Sequence, residues 1–60
     1  MSHKVYVKYN VAGISSMQME SFSVTQQREA RLLVEAKYSG KKIVFHSCEG
    51  PMLKAPGWFK

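Results

Sequence analysis

The sequence predicts an α+β fold in the order β-β-α-β, with a three-stranded antiparallel sheet of spatial order 2-1-3 and one helix packed on one of its faces. Three observations carry this. Residues 3–11 alternate apolar and polar side chains, as a half-buried strand does. Residues 26–38 contain neither Gly nor Pro and are mostly strong helix formers. Residues 41–48 hold Ile43, Val44 and Phe45 between turn-forming segments.

In the first strand Val5, Val7, Tyr9 and Val11 share one face, and Lys4, Tyr6, Lys8 and Asn10 share the other. Its valines and tyrosines suit a pleated surface. Residues 12–16 read as a turn with Gly13 at a positive φ. Residues 17–24 form the second strand, and the short connection makes the pair an antiparallel hairpin. Its faces are ambiguous, because Met17 and Met19 share one parity while Phe22 and Val24 share the other. Either a bulge switches the faces or the strand ends near Ser21.

Ser23 and Gln26 fit a capping box, with Thr25 a rival N-cap. On the helix, Arg28, Arg31, Glu35 and Ser39 occupy one narrow arc, and Ala30, Leu32, Leu33, Val34 and Ala36 spread over the opposite side. Gly40 suits the C′ position, and Lys37, Lys41 and Lys42 suit the negative end of the helix dipole. In the third strand Ile43 and Phe45 are expected to face the helix, with Val44, His46 and Cys48 on the other surface and residues 49–51 as the stop. Inserting this strand beside the first makes every pairing antiparallel, which yields the 2-1-3 order.

Size and charge bound the function. A chain of 60 residues buries about 60% of its unfolded surface, enough for one small core. One domain, residues 1–60, is expected, with residues 51–60 as an irregular C-terminal tail. Cys48 is the only cysteine, so no internal disulfide forms, and the first residues run into the first strand without an apolar leader. Both point to a reducing cytoplasm and no membrane association. A core this small without a disulfide also favours a homodimer or an obligate partner.

Nine Lys and Arg against four Glu leave a net charge of +5. Such a balance favours anionic partners, although solubility alone accounts for it equally well. Lys4, Tyr6 and Lys8 interleave cations with an aromatic ring on the uncovered sheet face, the chemistry with which single strands are bound. Arg28 and Arg31 on the helix, with Lys41 and Lys42 beyond its end, make a second basic group. No helix-turn-helix, zinc-finger or RNP-like pattern accompanies either.

Catalysis is not expected. The four Glu are scattered and there is no Asp, so no carboxylate pair forms. His46-x-Cys48 places two groups about 6.6 Å apart along a strand with no third group to orient them. With a distant His3 they give too few ligands for a metal site, so neither a metal nor a cofactor is expected. The tail is the other suggestive feature. Met52, Leu53, Trp58 and Phe59 put large apolar side chains into a stretch broken by Pro51 and Pro56. Trp and Met are typical of contact surfaces. The competing role for these residues is to fold back over the open sheet face, which would hide Tyr6.

The strand-strand-helix-strand layout resembles that of small accessory proteins of bacteriophages and mobile elements, a likeness of layout with no diagnostic motif behind it. The functional expectation is a small non-enzymatic regulatory protein that binds a partner protein through Met52, Leu53, Trp58 and Phe59. The alternative is a nucleic-acid binder using Lys4, Tyr6, Lys8, Arg28, Arg31, Lys41 and Lys42.

Overall fold

Strand β1 (Lys4–Val11) is the centre of the molecule, hydrogen-bonded on one side to β2 (Gln18–Phe22) and on the other to β3 (Ile43–Met52). Helix α1 (Gln27–Lys37) connects β2 to β3, and both pairings are antiparallel. These elements come from a computed structural model that describes residues 3–59; Met1, Ser2 and Lys60 lie outside it. The predicted α+β class, element order and 2-1-3 sheet are those observed.

The alternation of β1 sets the core. Val5, Val7, Tyr9 and Val11 are at most 2% exposed and pack with Ala30 and Val34 of α1. Phe22, Val24, Tyr38, Ile43, Phe45 and Cys48 close its periphery. Gly13 turns the hairpin at φ +93°, and the Ile14 N–H donates to the Val11 carbonyl at 3.0 Å.

The ambiguity of β2 resolves without a bulge. Its register against β1 runs unbroken from Val5 opposite Phe22 to Tyr9 opposite Gln18, and the strand ends at Phe22. The parity that faces the helix is therefore Gln18, Glu20 and Phe22. Glu20 is accommodated there because the Tyr9 hydroxyl donates to it at 2.8 Å and the Lys37 ammonium pairs with it at 3.2 Å. Burial, reinforced by the hydrogen bond to Glu20 and by Tyr38, pushes the Tyr9 phenol well above its ordinary range.

The start of α1 differs from the expected capping box. Gln26 is the N-cap, without a side-chain hydrogen bond. Instead the Glu29 carboxylate reaches back to the Thr25 N–H at 3.4 Å and the Thr25 hydroxyl at 3.3 Å. At the other end Tyr38 is the C-cap, so Gly40, at φ +82°, lies one residue beyond C′.

The buried stripe of α1 also departs from expectation. Gln27, Ala30, Arg31, Val34 and Tyr38 follow the spacing i, i+3, i+4, i+7 and i+11. Ala30 and Val34 are fully buried; Gln27 donates to the Gly50 carbonyl at 2.9 Å, and the Arg31 guanidinium lies 3.9 Å from Cys48 Sγ. Arg31 thus leaves the solvated arc in which it was expected and lies against β3. Leu32 and Leu33 are 52% and 45% exposed. The apolar set was too wide for one face. At about 100° per residue, Leu32 points about 180° away from the mean direction of Ala30 and Val34, and Leu33 about 80° away. Small side chains at Ala30 and Val34 let the helix lie close to the sheet, and polar Gln27 and Arg31 find partners on β3.

Strand β3 is longer than expected. It continues through Gly50–Pro51 to Met52, with register shifts between Lys8 and Tyr9 and between Lys4 and Tyr6. The first leaves His46 unmatched between Phe45 and Ser47, so Cys48 stands opposite Val7 on the helix side, not beside His46 as expected. The second takes up Gly50 and Pro51. Gly50 sits at φ +117° against the Lys4 carbonyl, and an edge strand tolerates the missing N–H of Pro51 at a bulge.

Candidate functional site

Two surfaces remain once the core is assembled, one on each side of the sheet. The outer side of α1 carries Leu32 and Leu33. Together with Ser23, Val24, Thr25 and Glu29 they line an open groove of about 500 Å³. It forms because β2 ends at Phe22: the chain leaves the strand in a tight three-residue turn, with the Val24 N–H donating to the Phe22 carbonyl at 3.0 Å. Val24 then becomes one wall and the leucine pair the other. Glu29 is the only charged residue in the lining, and its carboxylate is already oriented by Thr25.

The open sheet face is built from the other parity of β1: Lys4, Tyr6, Lys8 and Asn10. Its partners across the ladder are Met19 and Ser21 on β2, and Val44, Ser47, Glu49 and Met52 on β3. His46 joins this face through Asn10, whose Nδ2 lies 3.5 Å from the imidazole Nε2.

The tail folds onto the same face. A turn closed by the Phe59 N–H on the Pro56 carbonyl at 3.0 Å brings the Phe59 ring edge-on to Tyr6, with centroids 4.9 Å apart. The Trp58 indole N–H donates to the Glu49 carboxylate, and its ring lies 6.1 Å from that of Phe59. Tyr6 is consequently only 6% exposed, so it does not provide the open stacking ring expected of it. Phe59, an apolar ring with no polar group to satisfy, buries itself best on the one aromatic of that face.

The sequence-nominated residues separate accordingly. Met52 is the last residue of β3, half-buried opposite Lys4, while Leu53 follows it 51% exposed. Trp58 and Phe59 are half-buried on the open face. Lys4 is exposed and Lys8 half-buried, one on each side of Tyr6 along β1. Lys41 and Lys42 are exposed at the entry to β3, where the Ala12 N–H donates to the Lys42 carbonyl at 2.9 Å. Arg28 is exposed near the start of α1, whereas Lys41 and Lys42 follow its end, and Arg31 is held at Cys48 on the helix side of the sheet. The lysines of the sheet face and the two arginines therefore do not form one basic surface.

Sequence reasoning missed the groove and the Tyr9–Glu20–Lys37 network. A signal existed for each. The apolar residues of the helix span too broad an arc for one buried face, and Glu20 shares its parity with Phe22. Among the described residues no three His, Cys, Asp or Glu side chains converge, and no helix is long and apolar enough to cross a membrane. His46 and Cys48 lie on opposite faces of the sheet. Comparisons of the chain with protein-family models, with curated proteins and with solved structures find no match.

Proposed function

We propose that this chain is a small non-enzymatic regulatory protein that acts by binding another protein, and that α1 supplies the main contact. The observation that carries the reading is the exposed pair Leu32 and Leu33 above the Val24 groove. The fold leaves two large aliphatic side chains in water on a regular element while Ala30 and Val34 form its core contact. Its lining is apolar apart from the hydroxyls of Ser23 and Thr25 and the carboxylate of Glu29. That chemistry fits an amphipathic segment of a partner protein, with aliphatic side chains against the leucines and a basic group near Glu29. The tail was the expected contact. It supports this reading less, because Trp58 and Phe59 are engaged with Glu49 and Tyr6, and only Leu53 of the four nominated residues is mostly free.

The test is affinity capture from the source cell, run in parallel with wild type, Leu33→Glu and Leu53→Ser. A stoichiometric protein lost with Leu33→Glu but kept with Leu53→Ser supports the helix surface. Full burial of an exposed leucine contributes about 1.5–3 kcal/mol; Leu33 is 45% exposed, so Leu33→Ala is expected to weaken the complex about 3- to 10-fold. Recovery of the same protein by Leu33→Glu overturns the helix surface, and loss with Leu53→Ser alone moves the contact to the tail.

A further inference from the structure

The side of the sheet away from α1 has a separate chemistry that the helix groove does not use. Lys4 and Lys8 flank Tyr6 at two residues on either side, about 13 Å apart along the strand. The Ala12–Lys42 backbone hydrogen bond continues the pairing one step past Val11 and Ile43, so Lys42, exposed just before β3, stands at the end of this ladder next to Val44 of the open face. His46 and Asn10 lie between Lys42 and Lys8. Among the described residues Glu49 is the only acid of the face, and its carboxylate accepts the Trp58 indole N–H. The only ion pair among the described residues is Lys37 with Glu20, on the helix side, so Lys4, Lys8 and Lys42 are in no ion pair there, and against the single charge of Glu49 they leave this face net positive.

The folded tail adds what this face would otherwise lack. Tyr6 is covered, but the ring that covers it is itself only half-buried, and so is the neighbouring indole, so part of each ring still meets solvent. Phe59 is supported from below by Tyr6, and Trp58 is fixed by Glu49, so both rings are held before any ligand arrives. Tail aromatics and sheet lysines, which the sequence sets in competition, are brought together on one surface. Rigid aromatic rings among cations on an open sheet suit an unpaired base with its phosphates. A duplex hides its base faces and offers such rings nothing to stack on.

We propose that the open sheet face binds single-stranded nucleic acid, with Trp58 stacking on a base and Lys4, Lys8 and Lys42 meeting phosphates. Three phosphate contacts on a single strand give a log–log salt slope of about −2, or about 20-fold weaker binding between about 50 and about 200 mM salt. One stacked base lost with Trp58→Ala is expected to weaken binding about 5- to 150-fold.

The experiment titrates the whole chain into labelled oligo(dT) of about 12 nucleotides, and into a duplex of equal length, reading anisotropy. Quenching of Trp58 is read alongside, since it is the only tryptophan in the chain. The expected result is tighter binding to the single strand, indole quenching, the stated salt slope, and weaker binding by Trp58→Ala, Lys8→Gln and Lys42→Gln. Leu33→Glu on the far side is expected to bind as wild type does. Because Trp58→Ala also removes a tail contact, Trp58→Phe serves as its partner and is expected to recover most of the affinity. No binding at low salt overturns the proposal. So does equal binding to both probes without quenching, which is non-specific attraction to charge, and so does unchanged affinity in the folded Lys8→Gln and Lys42→Gln variants.

Discussion

Replacing Gly50 by alanine tests the β1–β3 register, and the contrast with Gly13 isolates the cause. Both glycines have a positive φ, +117° at Gly50 and +93° at Gly13. An added Cβ at Gly13 meets nothing within 4 Å, so Gly13→Ala incurs only the backbone cost, about 1–2 kcal/mol. At Gly50 the same atom would lie 2.6 Å from the Lys4 carbonyl oxygen and 3.0 Å from Val5 Cα. Those are backbone atoms of the central strand, and they have no rotamer by which to move aside. Forcing extra volume against packed neighbours costs about 1–3 kcal/mol, so Gly50→Ala is expected to destabilise by about 2–5 kcal/mol in all. A chain of this size has about 3–9 kcal/mol of total stability. The loss is therefore a large share of it, equivalent to a Tm lower by about 15–40 °C. Urea and thermal unfolding followed by circular dichroism measure both variants. If Gly50→Ala is no less stable than Gly13→Ala, β3 does not approach β1 at Gly50 and the register past Glu49 is wrong.

Three further outcomes are expected. Tyr9 holds its proton more tightly in the folded state than in the unfolded chain, because burial and the Glu20 and Tyr38 contacts raise its pKa above 10.0. Its contribution is thus complete below pH 10 and falls as pH rises past it, by at most about 1.4 kcal/mol per pH unit. Tyr9→Phe is expected to lose about 1.5–3 kcal/mol at neutral pH, as a hydrogen bond to a charged acceptor is removed, and to flatten the alkaline limb. An alkaline midpoint identical to wild type would refute the assignment to Tyr9. Val34→Ala, at a fully buried position, is expected to cost about 1–3 kcal/mol. Leu32→Ala, 52% exposed, is expected to stay within about 0.5 kcal/mol, and the reverse order in urea unfolding would show that the helix is rotated from the position described. Glu20→Gln keeps an acceptor for Tyr9 but removes the Lys37 pair. It is expected to cost about 1–2 kcal/mol, because the Tyr9 hydrogen bond loses its charged acceptor and the half-exposed Lys37 loses its partner, and high salt is expected to reduce only the second part.

The sequence by itself determined the class and topology of this protein. Alternation in residues 4–11 fixed which side chains of β1 form the core, Gly13 fixed the hairpin, and a short connection allowed only antiparallel pairing. Those are local rules with a period of two, and every neighbour in the chain reinforces them. Tertiary structure decided what depends on two segments at once. The shift at His46 turned Cys48 inward, because register is set by the partner strand and one unmatched residue inverts every face beyond it. The rotation of α1 was decided by how closely Ala30 and Val34 let it approach, and by the partners that Gln27 and Arg31 found on β3. That rotation, invisible in a helical wheel with apolar residues over half its circumference, put Leu32 and Leu33 in water. The path of the tail was decided last. Only a sheet face already holding Tyr6 and Glu49 gives Phe59 and Trp58 a place to settle, so the aromatic content was legible in advance and its location was not.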